Sequence, residues 1–149
     1  MIGYLKAKKI LAKSKINIGL HRLKSFDSLN RISAENIYSK VNYPAGNNTA
    51  FDGYAINSKD TNLLNSKKIK LFKIIKIIAA GDNPKITNIK KFQTAEVMTG
   101  ALIPKHFDTV IPIEEAKFYP NNKVRKYIII NKKISKNNHI RFKGSDFKK

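Results

Sequence analysis

From Tyr43 onward the sequence breaks into short apolar runs separated by turn residues, and this texture constrains the fold more than any other feature. The runs lie at residues 51–56, 69–79, 92–98, 108–113 and 124–130. Several alternate or carry β-branched side chains, which pack well on a pleated, half-buried surface. Lys68-Ile69-Lys70-Leu71-Phe72-Lys73-Ile74 and Tyr127-Ile128-Ile129-Ile130 are the clearest of them. Between the runs stand Gly81-Asp82-Asn83-Pro84, Gly100 with Pro104, and Pro120-Asn121-Asn122. These residues supply positive φ, a preset φ or local side-chain-to-backbone hydrogen bonds. The pattern predicts a small, mostly β lobe that opens after a loop containing Pro44, Gly46 and Asn47-Asn48.

The segment before Tyr43 has a different period. Residues 4–13 carry Tyr4, Leu5, Ala7, Ile10, Leu11 and Ala12 at a spacing that suits a short amphipathic helix. Leu23, Phe26 and Leu29 follow at three-residue steps and suggest a second helical stretch over residues 22–30. Residues 33–41 read equally as an extension of that helix or as a strand. The expected class is α+β, with a helical N-terminal lobe and a β-rich lobe. No internal repeat and no glycine-rich phosphate loop is visible.

Composition narrows the function classes. At 149 residues the chain can hold one ordinary domain or two small lobes, and 42% hydrophobic residues exclude a wholly disordered chain. It has no cysteine, so neither a disulfide framework nor a thiolate metal site is available. His21, His106 and His139 are too dispersed to suggest a zinc site. The formal net charge of +20 raises nucleic acid or an anionic membrane as partners. The excess is nearly all lysine, however, and it is spread along the whole chain, so solvated faces are the favoured reading and specific nucleic-acid binding is not expected. No apolar run is long enough to cross a bilayer; the longest, residues 74–80, is broken by Lys76. No secretory signal follows Lys6, Lys8 and Lys9, and the expected location is cytoplasmic.

Three stretches could carry chemistry. In Asn47-Asn48-Thr49-Ala50-Phe51-Asp52-Gly53-Tyr54-Ala55, Asp52 stands between a loop and a predicted strand, beside a glycine that lets backbone approach closely. Such a carboxylate can hold a hard cation, accept hydrogen bonds from a ligand or act as a base; equally, it can cap a turn while Tyr54 fills the core. In residues 96–104, Thr99 would present a hydroxyl and nearby backbone N–H groups at a strand end, an oxyanion site if they are free and a satisfied turn if they are not. In residues 108–115 a strand runs into Glu114-Glu115, of which alternation lets only one face a given site, leaving the other to pair with lysine.

These stretches carry a resemblance to the molybdopterin molybdenumtransferase family, which includes bacterial MoeA proteins and the gephyrin E domain. The family's D-N-S-A-M-D-G-Y-A element resembles residues 47–55, its A-G element Ala80-Gly81, and its I-M-T-G-A-P-x-P element residues 97–104. Its A-V-V-x-x-E-x strand resembles residues 109–115, its N-I-R-x-x-G-E-D element residues 139–146, and its L-G-R-V-L-A-E element residues 29–35. The order and spacing agree across nearly the whole chain. Phe51, Asn30 and Leu102 depart from the family residues.

The resemblance implies a homodimer and a two-lobed N-terminal region, here residues 1–42 with 139–149 for the helical lobe and residues 43–138 for the inserted β-rich lobe. It implies insertion of molybdate into adenylated molybdopterin with Mg²⁺ and release of AMP. Asp52 and Thr99 would be catalytic, Asp52 also touching the metal, and Gly53, Gly100 and Glu115 would contact substrate. The family's nucleotide- and pterin-binding and C-terminal domains would follow Lys149, so the chain is expected not to turn over alone. The alternatives are a non-catalytic dimerisation or scaffold module and a basic nucleic-acid-binding protein.

Overall fold

A computed structural model describes residues 1–14 and 18–149 of the chain. Two compact units are present, Met1–Tyr38 and Ser39–Lys149. The first contains helix α1, Tyr4–Lys13, which starts after Gly3 and buries no residue. The expected second helix over residues 22–30 is absent. Only a single 3-10 turn forms, Ser25–Asp27, and Leu23, Phe26 and Leu29 are all exposed. Short helices gain their stability from a buried face, and here none is buried. The serines also compete for the backbone, since Ser28 Oγ donates to the Ser25 carbonyl at 2.6 Å, and Asn30 adopts φ 62°. Residues 33–41, expected as helix extension or strand, form neither. The helical lobe therefore reduces to α1.

The second unit is the mostly β body that the short runs predict. Strands β1 (Asn48–Thr49), β2 (Gly53–Ile56), β3 (Lys70–Ile78), β4 (Gln93–Val97), β5 (Thr109–Pro112), β6 (Lys117–Pro120), β7 (Arg125–Ile130) and β8 (Ile140–Arg141) follow in chain order. Six of them form one sheet in the order β5-β2-β4-β3-β7-β6. All neighbours are antiparallel except β3 and β4. The register of β3 shifts between Ile74 and Lys76, so its two halves aim their apolar side chains at different faces.

Two cores result. Tyr54, Ile56, Leu64, Phe72, Ile111, Ile128, Ile130 and Ile134 pack on one face, while Ala55, Ile78, Ala95, Val97, Ala101, Phe107 and Val110 pack on the other. β2 contributes alternately to both, as its period of two requires, and all four of its residues are buried. Thr94 at 0% exposure is tolerated because its hydroxyl donates to the Ala55 carbonyl at 2.8 Å.

β1 and β8 form a separate antiparallel pair, with Asn48 opposite Arg141 and Thr49 opposite Ile140. Tyr43 bridges to Phe147, and their rings stack at 5.5 Å. Residues 139–149, grouped with residues 1–42 by the resemblance, here pair with the segment that leads into β2. That pairing sets the position of Asp52.

Candidate functional site

Asp52 occupies the one-residue step between the Thr49–Phe51 turn and the start of β2. The turn is closed by Phe51 N–H donating to Thr49 Oγ1 at 3.1 Å. The Asp52 carbonyl accepts from Ile113 N–H at 3.0 Å, tying the residue to the end of β5. Gly53 follows because no side chain fits: a Cβ there would lie 2.1 Å from the Ile111 carbonyl oxygen.

Thr99 reaches the same place from β4. Gly100 turns the chain with φ 82°, and its N–H donates to the Thr49 carbonyl at 3.0 Å. Thr49 N–H in return donates to the Ala101 carbonyl at 3.0 Å. This reciprocal pair fastens the Thr99 turn to the strand that precedes Asp52. One Asp52 oxygen, Oδ1, then accepts from both Thr99 N–H at 2.6 Å and the Thr99 hydroxyl at 2.7 Å. Oδ2 has no hydrogen-bond partner among the described residues.

The exposed Asp52 carboxyl is held below the ordinary aspartate range, first by the Thr99 backbone N–H and then by the Thr99 hydroxyl. The ionised form is acceptor-only, so the bond assigns the Thr99 hydroxyl proton to Asp52. The expectation of an oxyanion site at Thr99 needs correction on this point. Thr99 N–H and its hydroxyl serve Asp52, Gly100 N–H serves Thr49, and Ala101 N–H serves the Met98 carbonyl at 2.8 Å. No donor of this turn is free for an anion. What the site offers outward is a charged oxygen fixed in direction.

The other expected residues lie differently. Glu114 and Glu115 sit in a 3-10 turn, Ile113–Glu115, and not on a strand, because β5 ends at Pro112. Strand alternation therefore does not choose between them. Glu115 pairs with Lys132 at 3.3 Å and lines a cavity of about 200 Å³ with Pro112, Lys133 and His139. His139 meets Phe51 edge-to-face at 5.1 Å, which places this cavity beside the residue preceding Asp52. Asp108 is structural: it accepts from Ser58 N–H at 2.7 Å and from the Ser58 hydroxyl at 2.9 Å. Tyr54 is fully buried in the core; burial, and next the Glu96 carboxylate, pushes its phenol above the usual range.

Two features escape the reading of single residues. Arg141 and Asp146 form an ion pair, with the Arg141 guanidinium 5.6 Å from the Tyr43 ring centre. Its only sequence signal is the R-x-x-G-x-D spacing of the closing element. Asn48 Oδ1 is buried and has no partner among the described residues. No group of three His, Asp or Glu side chains able to enclose a metal occurs among the described residues.

The second unit is thus a mostly β body that carries an aspartate clamped by the threonine of an M-T-G turn. The chain belongs to the family described as MoeA N-terminal region (domain I and II), whose profile matches residues 4–149. It is similar to the molybdopterin molybdenumtransferase of Bacillus subtilis, 29% identical over 123 residues, covering 83% of this chain and 28% of that protein. The Staphylococcus aureus (strain Mu50) enzyme of the same name is 32% identical over 122 residues, covering 81% of this chain and 27% of its own length. That of Nostoc sp. is 34% identical over 94 residues, covering 63% and 21%. A crystal structure of the molybdopterin biosynthesis MoeA protein from Pyrococcus horikoshii superposes with a TM-score of 0.75 at 30% identity, over 99% of this chain and 36% of that one. The chain thus spans only 21–28% of these three curated relatives.

Proposed function

We propose that the chain contributes one wall of a site that inserts molybdate into adenylated molybdopterin and releases AMP, with Asp52 as the residue that meets the reacting group. The observation that supports this reading most is the two-point bond from Thr99 to a single oxygen of Asp52. It keeps the carboxylate ionised and leaves Oδ2 as an oriented acceptor. Thr99 is then a positioning residue. Gly53 and Gly100 act through the backbone, Gly53 by allowing close strand approach and Gly100 by allowing the turn.

A carboxylate faces anionic substrates unfavourably unless a cation or water intervenes. Magnesium is commonly held by one or two carboxylates, substrate oxygens and water. Asp52 Oδ2 fits one position of such a set, and the described residues supply no closed cage around it. When bound there, Mg²⁺ would neutralise charge on phosphate or molybdate oxygens. Glu115, about its own small cavity, is a substrate contact of lesser weight, since Lys132 already engages it.

The test is a chimera in which residues 4–149 replace the matching region of the Bacillus subtilis relative, assayed for molybdate-dependent AMP release. Asp52→Asn should abolish turnover while preserving the fold. An Asp52→Asn chimera as active as its parent would sink the assignment.

Self-association is a second proposed property. Leu5, Leu11, Leu20, Phe26 and Leu29 in the first unit are all exposed, and apolar side chains of this kind gain free energy when a second copy covers them. Sedimentation of the chimera should show a dimer, and Leu5→Lys with Leu11→Lys should shift it to monomer.

A further inference from the structure

The sheet is not covered evenly. Over β2, β4 and β5 the second core packs against the loops that carry Ile86, Ile89 and Ile103 and against Ile140 of β8. On the same face, at the β3-β7-β6 end, no described residue completes a core. Register defines two rows there. Lys73 stands opposite Tyr127, which stands opposite Tyr119; Leu71 stands opposite Ile129, which stands opposite Lys117. These residues alternate with Phe72, Ile128 and Phe118, which point into the first core.

Tyr119 is 49% exposed and meets Tyr127 edge-to-face at 6.3 Å, while Leu71 is 39% exposed. Of the cations on these strands, Lys73 and Lys117 stand in the rows of this face, whereas Lys70 lies over the Phe92 ring and Arg125 over the Phe118 ring on the first-core side. The chain-wide excess of lysine over acids accounts for the charges, but not for the tyrosine pair left uncovered beside them.

We infer that this face binds single-stranded nucleic acid without sequence preference, bases stacking on Tyr119 and Tyr127 and phosphates meeting Lys73 and Lys117. Every base offers a π-face, so stacking on a tyrosine is sequence-tolerant, and flanking lysines follow the backbone. An open, two-row surface suits an unpaired strand better than a duplex, whose bases are turned inward. The charge of +20 favours the encounter.

The test measures fluorescence anisotropy of a labelled oligothymidylate of about twelve nucleotides with the full chain. Affinity should fall with salt at a log–log slope of about −1.4, as expected for about two neutralised phosphates on a single strand. Tyr119→Ala should weaken binding about tenfold, and Tyr119→Phe should restore it, because stacking needs the ring and not the hydroxyl. Heparin, a polyanion without bases, should bind Tyr119→Ala and the parent chain equally, and Lys73→Glu should weaken both ligands. Equal oligonucleotide affinity for parent and Tyr119→Ala would reduce the face to a general basic surface and overturn the inference. So would a Tyr119→Ala variant that binds heparin and oligonucleotide with the same loss. Sedimentation showing that Tyr119→Ala dissociates a dimer, with no oligonucleotide bound by the parent, would assign the face to a second copy of the chain instead.

Discussion

Asp52 and Thr99 lie 47 residues apart in sequence, yet one oxygen of the first accepts both the backbone N–H and the hydroxyl of the second, at 2.6 and 2.7 Å. The two bonds arrive from one residue, so the carboxylate cannot rotate without losing both. The reciprocal bonds of Thr49 with Gly100 and Ala101 hold the two segments together.

Removing the Thr99 hydroxyl should therefore move the Asp52 titration. Thr99→Val keeps the backbone bond and loses the side-chain bond, so the carboxyl should titrate at higher pH than in the parent. Carbon-detected NMR of the Asp52 carboxyl checks this. Thr99→Ser should behave like the parent.

The sign of the pH effect on stability follows from the same shift. The folded-state value of Asp52 lies below its unfolded value of about 3.9. The ionised group therefore favours the folded state above that unfolded value. Its contribution fades as pH falls through the depressed one. Denaturation of Asp52→Asn and parent should show their largest difference at neutral pH and convergence in strong acid. A difference that grew on acidification would contradict the bond pattern.

Gly53 and Gly100 should respond differently to alanine. At Gly53 the new Cβ would meet the Ile111 carbonyl oxygen at 2.1 Å, so β2 and β5 must part and about 3 kcal/mol is lost. At Gly100 the nearest atom, Ala80 Cβ, is 3.7 Å away, and only the positive φ is penalised, by about 1–2 kcal/mol. Urea denaturation of the two variants measures the contrast.

Asp108 and Glu115 should separate structure from surface. Asp108→Ala leaves the N–H and hydroxyl of the buried Ser58 without their acceptor and should cost about 2 kcal/mol. Glu115→Gln breaks an ion pair whose side chains are 50% and 66% exposed, so its effect on stability should stay below about 1 kcal/mol. A large loss of chimera activity in Glu115→Gln, with stability unchanged, would promote it to a substrate contact.

Much of the β body is legible in the sequence because alternation and turn residues are local signals. The five apolar runs coincide with β2, β3, β4, β5 and β7 to within a few residues. β6, with Lys117 and Tyr119 exposed, has no such alternation to read, and β1 and β8 are two residues each. The second helix failed for the opposite reason: Leu23, Phe26 and Leu29 have helical spacing, but spacing stabilises a helix only when something covers it. At the site, the D-G-Y-A and M-T-G elements mark Asp52 and Thr99, and Gly53 announces a close approach.

The order of residues alone determined that Asp52 would precede a strand and that Thr99 would sit in a glycine turn, since both depend on neighbours a few positions away. Only the tertiary structure decided that the Thr99 donors face Asp52 and not an anion. That choice depends on β4 lying beside β2 and on the bonds of Thr49 across to Gly100 and Ala101, contacts between segments about fifty residues apart that no local pattern encodes.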